Sequence, residues 1–266
     1  MSVRYLFAAF LGSVLLPPVS QASVIYLTDG DSAIMYRVDL ATGSFSSTST
    51  YSLAYPIAVA DTVRLGNRDN GPGQEYDLNG NPTGVTWGGG SFIAQMLDGT
   101  TDGSTYNYAV TCCDSTAVYR FDRFWGNGEF LFNIGDSTGG RGIAYDPVNS
   151  TLWVAQFNSN VVQYSLTGDV VSSTSALSSV NLVGLSYDPT TDSFWGYNRA
   201  NTFYNFNRDG STLGTVVVPG FSTSNVFGGE IAMGAPVPEP SSFALALLGI
   251  AGTLVYRRRM NPRASR

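Results

Sequence analysis

Few side chains in this sequence have the type and spacing to do chemistry. Asp98-Gly99-Thr100-Thr101-Asp102-Gly103 gathers two carboxylates and two hydroxyls within six residues, and such oxygens suit a hard cation like calcium. The segment lacks both the D-x-[DN]-x-[DN]-G spacing and a downstream bidentate glutamate. A turn with no cofactor is therefore expected, calcium at Asp98 and Asp102 being the alternative. Cys112-Cys113 is an adjacent pair. Neighbouring side chains of a strand point to opposite faces and a bridge between them strains the backbone, so two thiols are expected, one of them buried. A disulfide between the two, or one to another molecule, stays open. Without histidine or further cysteines the pair is no recognisable metal site.

Tyr145-Asp146-Pro147 and Tyr187-Asp188-Pro189 catch the eye as motifs, but Asp-Pro initiates turns and a tyrosine fills or caps a core. Trp153 and Trp195 follow at matching positions and read as packing rather than as sugar platforms. Whole classes of mechanism are excluded: the 266 residues contain no histidine, and all 14 basic residues are arginine. Imidazole-based triads, most zinc and haem sites, and Schiff-base lysines are thereby ruled out. Two carboxylates can hydrolyse a glycoside, yet no spacing singles out a pair among twenty. A tight cluster of buried carboxylates at the centre of the fold would favour an enzyme. A wide channel mouth lined with Ser, Thr and Tyr would favour binding.

The elements that must position these residues form a repeat. Gly142-Ile143-Ala144-Tyr145-Asp146-Pro147 recurs as Gly184-Leu185-Ser186-Tyr187-Asp188-Pro189, 42 residues on, and Trp153 with Trp195 and Gly168 with Gly210 keep the same offset. Anchoring on the apolar residue before a turn glycine extends the series to Val38, Tyr76, Phe121, Tyr164 and Phe206, spaced 38, 45, 43 and 42. Within a unit the pattern is strand and turn, repeated four times, with no sustained helical period. Four short strands per roughly 40 residues predict a β-propeller blade. The expected fold is all-β, five four-stranded blades over residues 23–235. The strand around Gly229-Glu230-Ile231 should join the N-terminal strands in one composite closing blade, and the unit around Ile57 is the weakest copy.

Both ends are addresses. Arg4, an apolar run over residues 5–16 and small residues at Ser20 and Ala22 make residues 1–22 a signal peptide. Signal peptidase should cut between Ala22 and Ser23. At the other end Val237-Pro238-Glu239-Pro240-Ser241 precedes 14 apolar residues, 243–256, and then Arg257-Arg258-Arg259. That run is about 21 Å long as a helix at ~1.5 Å per residue, short for a permanent transmembrane anchor, and the arginines form a cytoplasmic stop. Residues 261–266 are a cytoplasmic tail. Twenty carboxylates against eight arginines leave residues 23–240 with a net charge of −12, so a nucleic-acid partner is not expected.

Residues 236–260 resemble the PEP-CTERM sorting signal: the V-P-E-P-S motif, the apolar span and the arginine run occur in that order. The resemblance implies recognition of Pro238, Glu239 and Pro240 by an exosortase in a Gram-negative bacterium. It further implies transient residence in the inner membrane, then the cell surface or extracellular space, often beside exopolysaccharide and biofilm genes. The repeat over residues 139–213 resembles secreted propellers of the NHL and YncE-like kind. Together these readings predict an exported surface or matrix protein with a binding or structural propeller, not an enzyme, whose partners include signal peptidase, exosortase and surface polysaccharide. The alternative is a secreted hydrolase or lyase acting on polysaccharide or a small ester.

Overall fold

β-Branched and aromatic residues alternating with Gly, Asp-Pro and Asn turns make short antiparallel strands, and the computed structural model contains twenty of them in five four-stranded sheets. It describes residues 24–232 apart from 70, 89–94, 114–115, 136–138, 158–159, 176, 178 and 222–224. In the first blade lie β1 (Val24–Asp29), β2 (Ile34–Asp39) and β3 (Ser44–Ser49). The second holds β4 (Ile57–Val59), β5 (Val63–Leu65), β6 (Gly73–Tyr76) and β7 (Pro82–Trp87); the third holds β8 (Met96–Thr101), β9 (Tyr106–Thr111), β10 (Ala117–Asp122) and β11 (Glu129–Asn133). The fourth has β12 (Gly140–Asp146), β13 (Thr151–Gln156), β14 (Val161–Tyr164) and β15 (Val170–Thr174). The fifth has β16 (Val183–Asp188), β17 (Ser193–Tyr197), β18 (Thr202–Phe206) and β19 (Thr212–Val217).

The last strand, β20 (Val226–Ile231), pairs antiparallel with β1, from Ile25 opposite Ile231 to Asp29 opposite Val226. It supplies the inner strand that the first blade lacks, so the ring closes with one blade built from both ends of the domain. The unit around Ile57 is complete, although β4 and β5 are only three residues each.

The spacing of the apolar anchors has a simple meaning. Val38, Tyr76, Phe121, Tyr164 and Phe206 all lie on the third strand of their blades, and all are buried. Five apolar clusters result, one at each seam between neighbouring blades; Trp153, Phe194 and Phe206, for example, fill the seam between the fourth and fifth. Asp146 and Asp188 end the inner strands of these blades. Each accepts backbone N–H bonds in the following turn and the indole N–H of Trp153 or Trp195. Arg208 then pairs with Asp146 across the seam.

Candidate functional site

An innermost propeller strand pairs on one edge only, so the N–H groups of its other edge face the axis and need acceptors. Asp98 provides them. From β8 its Oδ1 accepts the N–H of Gly99 (2.8 Å) and of Gly229 on β20 (2.9 Å). Its Oδ2 accepts Ile143 N–H on β12 (2.9 Å) and Leu185 N–H on β16 (3.1 Å). One carboxylate thus ties together the inner strands of four blades. The fifth, β4, touches this cluster through Gly99, where an added Cβ would lie 2.9 Å from the carbonyl oxygen of Ile57.

Glycine makes this approach feasible. A Cβ at Gly142 would lie 2.8 Å from the Leu185 nitrogen, and one at Gly184 would lie 3.3 Å from the Cα of Gly229. Among the described residues backbone therefore packs against backbone around the axis. One residue past Gly229 on β20, Glu230 is also buried, beside Thr100 of β8. Its Oε2 has no hydrogen-bond partner among the described residues. Burial and the nearby Asp98 push the Glu230 carboxyl well above the usual carboxylate range. Burial also pushes Asp98 up, against the pull of its four N–H donors. Four N–H donors support a charge on Asp98 and Thr100 alone supports one on Glu230, so of the two raised carboxyls Glu230 is the more poorly placed to ionise.

Asp98 accordingly lies in a strand, and the expected turn begins only at Asp102. Asp102 Oδ1 accepts the N–H groups of Ser104, Thr105 and Tyr106. The two carboxylates face different N–H sets, and both geometries suit an anion's own charge rather than a shared cation. Among the described residues no three acidic or cysteine side chains gather to hold a metal.

Cys112 and Cys113 correct an expectation: they are joined to each other, with Cα atoms 3.8 Å apart. The pair does not lie along a regular strand. β9 ends at Thr111, Cys112 makes a single bridge to Gly139, and Cys113 turns out of line at φ 70°. The alternating geometry that would have separated the sulfurs stops one residue too early.

The disulfide marks one end of the propeller, where inner strands begin and second strands finish. Arg141, near the start of β12, stacks 3.9 Å from the ring centre of Phe157, which follows β13. Arg199, after β17, lies 4.1 Å from that of Phe227 on β20. Phe227 meets Tyr55 at 5.6 Å, and Arg68 lies over the Tyr55 ring at 5.5 Å. The Tyr55 hydroxyl donates to Asp31 at 2.5 Å, and burial with this carboxylate pushes its pKa up. Arg141 also donates to Asn181. Sequence comparison misses this arc, because Arg141 and Arg199 are 58 residues apart and occupy different positions in their repeats; only strand direction brings them to one end.

The signal-cleavage pair Ala22 and Ser23 lies outside the described residues, as do Val237, Pro238, Glu239, Pro240, Ser241, Arg257, Arg258 and Arg259. Among the described residues no helix is long and apolar enough to cross a membrane. Comparison with known proteins addresses the C-terminal stretch directly. Residues 236–259 match the PEP-CTERM protein-sorting motif. The PEP-CTERM motif implies an exported chain, a terminal transmembrane helix and processing by an exosortase. No curated protein sequence matches the chain. A solved nidogen/laminin complex contains a chain similar in fold, with TM-score 0.53 and 11% identity, covering 79% of this chain and 98% of that one. A protein of unknown function from Bacteroides caccae aligns at TM-score 0.47 and 12% identity, covering 74% of this chain and 73% of its own. At such identity the likeness to the nidogen/laminin chain speaks for the fold alone.

Proposed function

We propose that this protein is a surface or extracellular-matrix component of a Gram-negative bacterium whose propeller works as a binding module. Signal peptidase would free Ser23, the apolar tail would hold the chain in the inner membrane, and exosortase would process it near Pro238, Glu239 and Pro240. Surface polysaccharide is the partner this placement favours. Buried carboxylates at the axis were the feature expected of an enzyme, but one observation turns them toward binding: Asp98 and Glu230 have relative exposures of 0% and 1%, which closes them to a substrate. A hydrolase or lyase centred on them would need its acid and base within reach of a sugar ring, and strand backbone surrounds both.

The sorting half of the reading is tested by intact mass and cell fractionation in the native host, with and without alanine at Pro238, Glu239 and Pro240. The wild-type chain should end near Pro240 and leave the inner membrane, while the variant keeps Arg257 to Arg266 and stays there. Equal masses and equal location for the two would overturn it.

A further inference from the structure

The chain has two cysteines, and they are adjacent and joined. A disulfide steadies a fold by closing a loop of the unfolded chain, and the benefit shrinks with the number of residues enclosed. Cys112 and Cys113 enclose none. The chain around them is held by other means. Thr111 closes the base of the loop, its Oγ1 donating to the Ala117 carbonyl at 3.2 Å and accepting the Ala117 N–H at 3.1 Å. Cys112 itself is fixed from two sides: its N–H donates to the Gln95 carbonyl at 3.3 Å, and its backbone bridges to Gly139, where an added Cβ would lie 2.6 Å from the Cys112 Cα. The bond therefore fastens nothing that the backbone leaves loose, which points to a chemical use.

The two sulfurs differ in access and in what surrounds them. Cys112 is buried, with an exposure of 3%, whereas Cys113 is exposed and turns out of line with β9 at φ 70°. An attacking group reaches the second and not the first. The Cys112 Sγ also lies 3.9 Å from Oε1 of Gln95. A disulfide sulfur has no proton to offer that oxygen, while a thiol is a weak donor. Gln95 thus presents an acceptor that Cys112 can use only when reduced, and the same surroundings accommodate both redox states.

We propose that Cys112 and Cys113 form a thiol-exchange site, opened by an external thiolate that attacks Sγ of Cys113. The incoming sulfur bonds to Cys113 as the Cys112–Cys113 bond breaks, and the electron pair leaves on Cys112 Sγ, which takes a proton from water and donates it to Gln95 Oε1 in a hydrogen bond. A second thiolate then attacks the incoming sulfur, releases Cys113 as a thiolate and carries the first away as their own disulfide. Two electrons pass from two thiols to the pair. Without the second thiol, Cys112 displaces the adduct and the ring recloses. The thiolate can belong to a small molecule or to a polypeptide cysteine, and the site is independent of what the propeller binds.

Mass spectrometry on the full chain in neutral detergent tests this, with glutathione and a glycine–serine peptide carrying a single cysteine as probes. Samples quenched in acid, unfolded and alkylated should carry the adduct on Cys113 and the alkyl group on Cys112. Cys112→Ser, which cannot reclose, should accumulate the adduct from oxidised glutathione roughly tenfold faster than Cys113→Ser does. Gln95→Leu removes the acceptor of the reduced state alone, so at a fixed ratio of reduced to oxidised glutathione its dithiol fraction should fall severalfold. The reduced wild type and the folded variants should melt within about 2 °C of the oxidised chain. Faster opening by glutathione than by the peptide identifies a small thiol as the reactant and parity identifies a site open to polypeptides; either result supports the exchange. Adducts on Cys112, equal rates for the two serine variants, an unchanged dithiol fraction in a folded Gln95→Leu chain, or a folded wild type that neither probe opens would each overturn it. So would a reduced wild type that melts far below the oxidised one, since the bond would then be a structural staple.

Discussion

Asp98 and Glu230 are both buried acids at the propeller axis, and their surroundings give them opposite roles. Four N–H dipoles converge on Asp98, and removing it would leave those donors unpaired in the centre of the fold, at about 1–3 kcal/mol for each buried group left unsatisfied. Glu230 has no comparable support, and holding it neutral is the arrangement that avoids a second charge beside the first. The folded chain therefore keeps the Glu230 proton to higher pH than the unfolded chain does. Between the ordinary glutamate value and the raised folded one the native state binds more protons, so ∂ΔG/∂pH from this group is negative. Its contribution is complete at acid pH and is lost as pH rises through the folded pKa. Asp61, Asp146 and Asp192 act in the other direction, since their arginine partners lower their pKa values and their contributions disappear toward acid. Glu230→Gln isolates the first effect. The variant should match wild type near pH 5 and melt higher at pH 8, by about 2–4 °C for each kcal/mol recovered in a domain of this size. Equal melting temperatures at pH 8 would place the proton elsewhere.

Among elements, β20 has the largest consequence for its length. It completes the first blade against β1, contributes the N–H of Gly229 to Asp98, and brings Phe227 under Arg199. A chain ending at Asn225 would leave the edge of β1 open where a propeller can least tolerate it. That chain should lose its near-ultraviolet circular dichroism and aggregate, whereas one ending at Ala232 should melt cooperatively as the full chain does. A folded monomer ending at Asn225 would show that closure is dispensable. This clasp was legible in the sequence, because a first strand without successors and successors without a first strand are visible once the 42-residue offset is known. The function of Asp98 was obscured by its neighbours: it occupies the position of Gly142 and Gly184, 44 residues upstream of the former. A carboxylate in place of an inner-strand glycine was the available signal, and the resemblance of 98–103 to a loop concealed it. Cys112-Cys113 was misread for a related reason, since strand alternation was extended two residues past the end of β9. Arg141 and Arg199 left no periodic trace, because a site assembled from strand starts in one blade and strand ends in another has no fixed spacing.

At the scale of the whole molecule, strand direction sets which way the protein faces. β20 begins beside Arg199 and ends at Ile231, and Val24, where β1 begins, lies at that same far end, just beyond the Ile25–Ile231 pair. Signal peptide and sorting tail thus both attach at the end remote from the arginines, six strand residues away, or roughly 20 Å at about 3.3 Å per residue. That distance exceeds about a Debye length of 8–10 Å, over which the attraction of anionic headgroups at the attachment end falls off. A chain ending at Ala232 should therefore not cosediment with vesicles, whether of phosphatidylcholine or containing one third phosphatidylglycerol. Cosedimentation with the anionic vesicles alone, removed by Arg141→Gln or Arg199→Gln, would mean that lipid reaches the arginine end, and the domain would then lie on the membrane by the face remote from its attachments.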